Sequence, residues 1–439
     1  MAEIKTVCVI GMGYIGLPTC AILAGRGLDV IGVDVNEMVV EKVNRGEIHI
    51  VEPDLDGLIQ KVVASGKLKA AGQPQTADAY IIAVPTPMTH DHKPDISYVL
   101  AAAKSVAPVL KQGDVVVLES TSPVGTTRAM TGLLSELRPD LRFPLEHGED
   151  ADVLVAYSPE RVLPGKVLTE LCNNDRSIGG LSRKSSERAA ALYSTFVVGD
   201  LFLTGAESAE LVKLTENAFR DVNIAFANEI AAVCQHLSLN VWEVIDLANR
   251  HPRVNILQPS PGVGGHCIAI DPYFIIDAAP DDTPLIASAR RINSGRPLSV
   301  VRDVKALLDP SRKQTIACLG LSFKPNIDDM RESPAVEVVD LLSRVPNLKL
   351  VVAEPNARAL PRQLEGKGIL FTDALSAIDQ AEMVVLLVDH RQFNLIDPDA
   401  LKDKKLVDTR GLWTWRKARK PDARIEGGKW DEKRMDMVA

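Results

Sequence analysis

The segment from Gly262 to Asp271 has the residue types of a covalent catalytic site. It reads GVGGHCIAID, so three glycines precede Cys267 and a carboxylate follows four residues later. Glycines let backbone approach a ligand closely, and a thiolate is a nucleophile that can capture an aldehyde. If a helix begins at Cys267, its dipole lowers the thiol pKa and Asp271 lies one turn away on the same face. The alternative is a structural cysteine behind a flexible loop.

A second group of polar side chains lies on one stripe of a long apolar helical pattern. Lys213, Asn217 and Arg220 are spaced i, i+4, i+7, which places them on one helix face. Burying such groups without partners is costly, so the stripe indicates a ligand or an anionic partner. A desolvated lysine also has a lowered pKa and can exchange a proton with a reacting hydroxyl. Solvent exposure, or an internal ion pair with Glu216 or Asp221, is the alternative.

Further charged residues follow predicted strands or precede the glycine loop. Glu160 and Arg161 end a predicted strand and could act as a base beside a clamp for phosphate or carboxylate. His251 and Arg253 form a polar cluster just before the glycine loop. Lys324 lies where a glycine loop would follow the first strand of the second half, which suits a second phosphate-bearing ligand. Each of these could equally be ordinary surface charge.

The sequence GMGYIG, from Gly11 to Gly16, has the spacing of a dinucleotide-binding loop. It follows a strand pattern and opens a helix pattern, and Asp34 comes 18 residues after Gly16. In such a loop Gly11 makes the tight turn, Gly13 lets backbone approach a pyrophosphate, and Gly16 lets the helix pack on the strand. A carboxylate at Asp34 can hold both ribose hydroxyls and repels a 2′-phosphate, which favours NAD over NADP. A glycine-rich turn without a ligand is the alternative.

Threonines follow the third and fourth predicted strands, at the edge where open parallel sheets bind ligands. Thr86 lies in Pro-Thr-Pro, and Thr121 and Thr127 lie in ESTSPVGTT. They are placed to hydrogen-bond a cofactor or its reaction centre. A helix cap or a turn hydroxyl is the alternative for each.

The elements that must position these residues follow from the spacing of the apolar runs. Short β-branched runs alternate with amphipathic stretches, which predicts βαβ units and a parallel sheet. Asn36 and Asp54 are predicted to cap helices. The predicted strands of the first half are 6–10, 30–33, 79–84, 115–119 and 153–157, and the predicted helices are 15–26, 37–44, 55–64 and 98–110.

One long helix without proline or glycine is predicted from about 208 to 237. Its apolar residues cover more than one face, which indicates a buried helix that serves as a spine and a dimer contact. The run TIACLG in the second half resembles TVCVIG near the start but lacks the glycine fingerprint, which predicts a related fold with a different ligand. The second half has predicted strands 315–323, 348–353, 383–388 and 405–407 and predicted helices near 335–343 and 374–378.

The predicted fold class is α/β, with two Rossmann-like parallel-sheet domains joined by a long central helix. Residues 1–205 are predicted to form an NAD-binding Rossmann domain, and 206–300 a central helical region for catalysis and dimerisation. Residues 301–415 are predicted to form a C-terminal Rossmann-like domain, followed by a partly ordered tail at 416–439.

Composition and charge exclude several classes of protein. The chain has 439 residues, of which 46 % are hydrophobic and 25 % charged, as in globular proteins. Its longest apolar run, MVVLLV, is far shorter than the ~20 residues of a membrane span, and no export signal precedes the first strand, which predicts a cytoplasmic protein. The net charge of −8 argues against nucleic-acid binding. The six cysteines are scattered, which predicts neither a disulfide framework nor a metal site.

Taken together, these motifs resemble the UDP-glucose/GDP-mannose dehydrogenase family. The resemblance runs from about Val7 to Trp413 and includes GMGYIGLPT, NRGEIHIVEPDL, AVPTPM, ESTSPVGTT, SPERVLPG, KLTENAFRDVNIAFANE, NRHPRVNILQPSPGVGGHC and FKPNIDDMRESP. HPRVN and the histidine before Cys267 favour the branch that acts on acetamido sugars. The resemblance implies that the C6 alcohol of a UDP-N-acetylhexosamine, in the first place UDP-N-acetyl-D-mannosamine, becomes a carboxylate while two NAD⁺ are reduced. It further implies a homodimer formed through the long helix, a UDP-sugar site in the 301–415 domain, and a product used in surface polysaccharide biosynthesis.

The resemblance also implies roles for individual residues. Cys267 would be the nucleophile, Lys213 the proton donor or acceptor and oxyanion stabiliser, and Glu160 would help to deliver water. The residues that would orient the reacting oxygen or a water are Asn217, Thr121 and Asp271. The residues implied to hold NAD are Gly11, Gly13, Tyr14, Ile15, Gly16, Asp34, Thr86, Thr127 and Arg331. The residues implied to contact the nucleotide sugar are Arg161, Val162, Lys213, Asn217, Arg220, His251, Arg253, Gly264, Phe323, Lys324 and Arg410. His251 and Arg253 would make this contact within the chain or from a neighbouring subunit.

Other functions stay open on the sequence. UDP-N-acetylglucosamine or UDP-glucose could be the substrate instead. A two-electron dehydrogenase of the hydroxyacid or 6-phosphogluconate type would share the glycine loop, the helical middle and the lysine but would need no thiol. It would release one NADH per substrate, whereas the thiol-dependent reaction releases two. A catalytically silent nucleotide-binding protein is the third class, and the set Lys213, Cys267 and Asp271 argues against it.

Overall fold

The computed structural model describes residues 3–89, 91–163 and 165–417, so most of the predicted tail lies outside the described residues. The chain divides into two compact units, Met1–Val222 with His266–Ser288, and Asn223–Gly265 with Ala289–Ala439. None of the described helices combines the length and the apolar composition that a membrane crossing requires.

An eight-stranded sheet forms the core of the first unit, in the order β3-β2-β1-β4-β5-β6-β7-β8. Its strands are β1 Thr6–Ile10, β2 Asp29–Val33, β3 Leu68–Ala71, β4 Ala79–Ile82, β5 Val115–Leu118, β6 Leu154–Tyr157, β7 Arg176–Gly180 and β8 Leu201–Gly205. Neighbours are parallel except β6 and β7, which are antiparallel. Strands β3, β7 and β8 were not predicted from the sequence, because the edge strands β3 and β8 are partly or largely exposed and β7 ends in two glycines.

Helices cover both faces of this sheet, and each face has its own apolar cluster. Val7 and Val9 of β1 point into one cluster, whereas Cys8 and Ile10 point into the other, as the two-residue period of a strand requires. The α-helices of the described residues are α1 Gly16–Gly25, α2 Glu37–Asn44, α3 Leu55–Ala64, α4 Ser97–Val106, α5 Thr126–Leu137, α6 Pro144–His147, α7 Val167–Asn173, α8 Arg183–Tyr193, α9 Ala206–His236, α10 Val241–Ala248, α11 Asp271–Ala278, α12 Pro284–Ala306, α13 Pro334–Ser343 and α14 Ala374–Gln380.

The two predicted helix caps have different outcomes. Asn36 caps α2, since its side chain accepts the N–H of Met38. Asp54 does not cap α3: its φ of 63° places it in the left-handed region, and its side chain accepts no capping hydrogen bond. The sequence pattern located the start of α3 but could not show the turn that leads into it.

A five-stranded parallel sheet forms the core of the second unit, in the order β11-β10-β9-β12-β13. Its strands are β9 Gln314–Leu319, β10 Leu348–Ala353, β11 Leu370–Phe371, β12 Met383–Leu386 and β13 Lys405–Asp408. The predicted echo between the two halves is present in the backbone. Gly11 after β1 has a φ of 95° and donates its N–H to Val33, and Gly320 after β9 has a φ of 90° and donates to Ala353. The α/β fold with two Rossmann-like sheets and a long helix is therefore confirmed.

The long helix α9 spans 31 residues and is not buried on all sides. Val212, Phe219, Phe226 and Val233 are exposed, Phe219 by 67 % and Phe226 by 50 %. They are seven residues apart, so they form one stripe along the helix. The prediction of an all-round buried helix is therefore wrong for the single chain. We call these four residues the α9 stripe.

Candidate active site

Cys267 precedes helix α11 rather than beginning it. The helix begins at Asp271, whose N–H donates to the carbonyl of Cys267 over 2.8 Å. Cys267, taken as a whole residue, is exposed. The sulfur itself is desolvated, and this burial raises the thiol pKa to about 12. The carboxylates of Asp271 and Glu160 also raise the thiol pKa, whereas Lys213 lowers it. The expected lowering by a helix dipole is therefore wrong, because Cys267 lies outside the helix and two acidic groups face it.

Lys213 of α9 extends into the same cluster. It is 6 % exposed, and its Nζ lies 3.4 Å from Oε1 of Glu160. Burial lowers its pKa, but Glu160, Asp271 and Cys267 counteract burial and leave the pKa above its ordinary value. The lowered pKa expected for a desolvated lysine is therefore wrong here. Lys213 is instead a buried cation, which suits it to stabilise negative charge on a reacting oxygen.

Asp271 faces Asn217, which lies one turn after Lys213 on α9. The side-chain amide of Asn217 donates to Oδ2 of Asp271. Asp271 is 2 % exposed, and burial raises its pKa to about 7 although Lys213 and Asn217 act in the opposite direction. A carboxyl group that titrates near neutrality is suited to general base catalysis.

The loop after β6 positions Glu160 through its own backbone. Oε2 of Glu160 accepts the N–H of Val162 over 3.0 Å. Glu52, 5 % exposed, accepts the N–H groups of Gly165 and Val167 over 2.8 and 2.7 Å. Glu52 therefore fixes the end of the loop that bears Glu160. No local pattern in the sequence predicted this contact, which joins segments more than a hundred residues apart.

Arg161 and Arg220, two of the predicted substrate contacts, lie in the first unit. Arg161 forms a bidentate ion pair with Glu216, with an NH2–Oε1 distance of 2.6 Å, and also donates to the carbonyl of Asp175. The sequence suggests Glu216 as an ion-pair partner for the polar residues of α9, but Glu216 pairs with Arg161. Arg220 is exposed on α9. A ligand phosphate at Arg161 would therefore share the guanidinium with Glu216 or displace it.

The glycine loop after β1 has the shape that a dinucleotide requires. A Cβ at Gly16 would lie 1.8 Å from the carbonyl oxygen of Gly11, so helix α1 can pack this closely only on glycine. A Cβ at Gly13 would meet no protein atom, and Tyr14 beside it is 44 % exposed. Asp34 at the end of β2 accepts the N–H of Met12 over 3.0 Å, which holds its carboxylate beside the loop. These residues fit NAD. Asp34 is placed for the ribose hydroxyls. The start of α1, where Ile15 precedes Gly16, is placed for the pyrophosphate.

The three threonines differ in their surroundings. The hydroxyl of Thr86 donates to the carbonyl of Thr121, so the two loops are joined at the sheet edge. Thr127 is fully buried, and its N–H and hydroxyl both donate to Oε1 of Glu210, over 2.8 and 2.7 Å. The N–H of Gly125 donates to the other oxygen of Glu210. Glu210 thus caps α5 from α9, and this role was not predicted, since the partners lie far apart in the chain.

The second unit holds the remaining predicted residues. A Cβ at Gly264 would lie 3.1 Å from Cβ of Phe323, and one at Gly265 would lie 2.9 Å from its ring, so the glycine loop packs against Phe323. Lys324 is half-buried. Arg410 pairs with Asp389 at 2.9 Å, and Arg331 pairs with Asp329 at 2.7 Å. His251 and Arg253 are exposed, with the N–H of Arg253 donating to Nδ1 of His251.

Comparison with known proteins gives matches along nearly the whole chain. Family models of the UDP-glucose/GDP-mannose dehydrogenase family match residues 5–197 as the NAD binding domain, 207–295 as the central domain and 317–414 as the UDP binding domain. The UDP-N-acetyl-D-mannosamine dehydrogenase of Yersinia pestis is 55 % identical over 417 residues, 93 % of this chain and 99 % of that protein.

Two further similarities concern related activities and the fold. The NDP-N-acetyl-D-galactosaminuronic acid dehydrogenase of Ralstonia nicotianae is 54 % identical over 412 residues, 94 % of this chain and 97 % of that protein. The solved structure of UDP-D-ManNAc dehydrogenase from Pyrococcus horikoshii is 39 % identical, with a TM-score of 0.84 over 93 % of this chain and 96 % of that one.

Proposed function

The chain belongs to the UDP-glucose/GDP-mannose dehydrogenase family and is an NAD-dependent UDP-sugar dehydrogenase, and on that premise we propose that it oxidises C6 of UDP-N-acetyl-D-mannosamine to the carboxylate through a thioester on Cys267. The observation that supports this proposal is the cluster of Cys267, Lys213, Asp271 and Glu160 in the unit that has the dinucleotide-binding loop. A two-electron dehydrogenase would need no such thiol.

The first oxidation removes a proton and a hydride from the C6 alcohol. Asp271, with a pKa of about 7, accepts the hydroxyl proton, and the cation of Lys213 stabilises the negative charge that develops on the oxygen. NAD, when bound at Gly11–Gly16 and Asp34, supplies the hydride acceptor for each of the two oxidations. Asn217 orients Asp271 through the hydrogen bond between them.

The second oxidation uses Cys267. Its sulfur forms a bond to C6 of the aldehyde, the thiol proton passes to a base, and the carbonyl electron pair moves onto oxygen beside Lys213. The thiol pKa of about 12 means that the thiol must lose its proton as it attacks. Asp271, once it has released the alcohol proton to solvent after the first oxidation, is the adjacent carboxylate that can accept it. Loss of a hydride from C6 then gives the thioester.

Hydrolysis releases the product. Water adds to the thioester carbon, the C–S bond breaks, and the sulfur takes a proton to restore the thiol. Glu160 lies beside Lys213 and is held by the N–H of Val162, so its carboxylate is placed to orient this water. The product is a uronic acid, which suits use in a surface polysaccharide.

The acetamido-sugar substrate is supported by the two relatives named above, whose names share an N-acetylhexosamine unit and differ in its configuration. The motif HPRVN and His266 point to the same substrate class. A panel of UDP-N-acetyl-D-mannosamine, UDP-N-acetylgalactosamine, UDP-N-acetylglucosamine and UDP-glucose tests this. We expect the highest kcat/KM for the mannosamine and two NADH per sugar. One NADH per sugar would contradict the thioester route, and a preference for UDP-glucose would contradict the substrate.

A homodimer formed through α9 belongs to the same proposal. The α9 stripe is apolar and exposed, and it lies on the face opposite Lys213 and Asn217, because successive helical residues turn by about 100°. A second copy of the chain would cover it, since an exposed apolar stripe of this length is typical of a protein interface. The cytoplasmic location expected from the sequence stays a prediction.

A further inference from the structure

His390 is a fully buried histidine of the second unit that the proposed chemistry does not use. It lies in the loop after β12, and its Nδ1 is 3.0 Å from the backbone nitrogen of Asn326 and 2.9 Å from Nδ2 of Asn356. Both of these groups are donors, so Nδ1 is an acceptor and the ring hydrogen is on Nε2. The imidazole is therefore a neutral ring with one fixed tautomer.

The other ring nitrogen faces a buried carboxylate. Nε2 of His390 donates to Oε2 of Glu354 over 3.0 Å. Burial raises the pKa of Glu354, but the hydrogen bond from His390 and those from the backbone hold this pKa below its ordinary value. Glu354 is thus an ionised acceptor, and a buried carboxylate depends on the donors that surround it.

Glu354 fixes the start of the loop that follows β9. The N–H groups of Leu321 and Ser322 donate to its Oε2 over 2.7 and 3.2 Å. The hydroxyl of Ser322 lies 3.3 Å from Nε2 of His390 and donates to the carbonyl of Lys324 over 2.7 Å. The first half of the loop is thus held by the carboxylate and by the ring that donates to it.

His390 fixes the end of the same loop, residues 321–326, which we call the β9 loop. The N–H of Asn326 donates to Nδ1, and Oδ1 of Asn326 accepts the N–H of Arg391 over 2.8 Å. The φ of Asn326 is 65°, a left-handed conformation that costs free energy for a residue with a side chain. The contacts with His390 and Arg391 offset this cost, so the turn at Asn326 depends on the histidine.

The β9 loop bears Phe323 and Lys324, two of the implied contacts of the nucleotide sugar. Phe323 is the residue against which Gly264 and Gly265 pack, and the loop lies in the segment that matches the UDP binding domain of the family. The dinucleotide loop of the first sheet takes its shape from glycines, whereas residues 321–326 contain none. The β9 loop is shaped instead by the side-chain acceptors that hold its two ends.

We propose that His390 is a positioning residue that holds the β9 loop in the shape that binds the UDP part of the substrate, without contacting UDP itself. Loss of the ring leaves the N–H of Asn326 and the carboxylate of Glu354 each short of a partner, and unpaired buried groups favour another loop conformation. The inference rests on the proposed function in taking Phe323 and Lys324 as contacts of the UDP-sugar.

The variant His390→Phe removes both ring nitrogens and keeps a ring beside Phe393, whose centroid is 5.5 Å away. We expect the Kd for UDP, measured by isothermal titration calorimetry on the full chain, to rise about tenfold or more. The Kd for NAD should stay within about twofold of the wild type, because the dinucleotide loop lies in the first unit. In turnover, KM for the UDP-sugar should rise while kcat stays within about twofold.

Two further variants separate positioning from stability. His390→Asn keeps an acceptor for the N–H of Asn326, because the amide oxygen can take the place of Nδ1, so it should bind UDP more tightly than His390→Phe. Ile316→Ala truncates a fully buried side chain in the first half of β9, away from the β9 loop. It should lower Tm and leave the Kd for UDP within about twofold of the wild type.

A measurement on the wild type does not depend on how the variants fold. In hydrogen–deuterium exchange without ligand, peptides that cover residues 321–326 should exchange about tenfold or more slowly than the same peptides in the unfolded chain. The reason is that the N–H groups of Leu321, Ser322 and Asn326 already have acceptors. Exchange at the unfolded rate would contradict a preformed loop.

Several results would overturn the inference. They are an unchanged Kd for UDP in His390→Phe, an equal weakening of UDP and NAD binding in that variant, a His390→Asn variant that binds UDP no better, and an equal loss of UDP affinity in Ile316→Ala. A wild type that binds no UDP would also overturn it. If the wild type binds UDP but oxidises no UDP-sugar, the proposed function fails and the Kd values still test His390.

Discussion

Asp271 and Lys213 illustrate how burial acts differently on two neighbouring ionisable groups. Burial raises the pKa of Asp271 to about 7, so the carboxyl group can exchange a proton near neutrality. Burial lowers the pKa of Lys213, but the acidic neighbours outweigh it and keep the ammonium charged. The result is a base and a fixed cation in one cluster, which is what alcohol oxidation requires.

The raised pKa of Asp271 has a consequence for stability. A carboxyl group whose pKa rises from 3.8 to about 7 on folding contributes stability below pH 3.8 that is lost as the pH rises through this window. Asp271→Asn removes that ionisation, so we expect a larger gain in Tm at about pH 8 than at about pH 5, together with a loss of activity. Thermal unfolding at both pH values measures it.

Asp277→Asn is the control for this measurement, because Asp277 lies on the same helix but is exposed. It should leave Tm nearly unchanged at both pH values. An equal gain at both pH values in Asp271→Asn would contradict a pKa near 7 in the folded protein.

Replacement of the nucleophile gives a second prediction at this scale. Cys267→Ser should lower kcat for NADH production by about a thousandfold or more, because an alcohol is a far weaker nucleophile than a thiolate. Cys172→Ser, at a half-buried cysteine outside the cluster, should retain the wild-type rate. Steady-state NADH absorbance measures both, and a fully active Cys267→Ser would refute the thioester route.

The residue types of the site were predictable, whereas their pairings were not. Gly11, Asp34, Lys213 and Cys267 stand out by spacing because loops and helices impose local rules. The partners Glu52 and Glu210 do not, since each acts on a segment far away in the chain. The direction of a pKa shift depends on such partners, which explains why the expectations for Lys213 and Cys267 were wrong.

At the scale of elements, α9 presents two different faces, one in the candidate active site and one that we propose forms the dimer. Lys213 and Asn217 lie on one face, and the α9 stripe lies on the opposite face. The sequence predicted the helix to within two residues of its start and one of its end. It could not assign the faces, because an apolar side chain has the same pattern whether it packs against its own chain or against another.

Phe226→Glu tests the proposed dimer. Phe226 is 50 % exposed in the middle of the stripe, so a carboxylate there would be desolvated and brought near its symmetry mate. We expect a shift from dimer to monomer in analytical ultracentrifugation. Leu395→Glu adds the same charge at a residue that is 86 % exposed and outside the helix, and it should remain dimeric. A wild-type monomer would contradict the proposal.

At the scale of the whole molecule, two sheets that share the order of five parallel strands are expected to hold two different nucleotides. Asp34→Ala should weaken NAD binding by about tenfold or more, since it removes a charged acceptor for the ribose. Lys324→Ala should weaken UDP binding instead. Ligand-induced shifts in Tm measure both. Each variant should keep the response to the other nucleotide, and loss of both responses in either variant would contradict the assignment.

The repeat itself was predictable from two short runs, TVCVIG and TIACLG, because the first strand and its turn follow local rules. A different ligand for the second copy was also predictable, from its missing glycine fingerprint, but the contacts of its acidic residue were not. In the second copy Glu354 stands at the end of β10 as Asp34 stands at the end of β2, but it is 3 % exposed. It accepts the N–H groups of Leu321 and Ser322, and Nε2 of His390 lies 3.0 Å from it.

This saturation of Glu354 sets the capacity of the chain for dinucleotides. The N–H of Asn356 also donates to Glu354, so its four lone-pair sites already face three backbone amides and an imidazole, and none is left for a sugar diol. The duplicated scaffold should therefore behave as a single receptor, and equilibrium dialysis with radiolabelled NAD should level off at one molecule per polypeptide, however much is added.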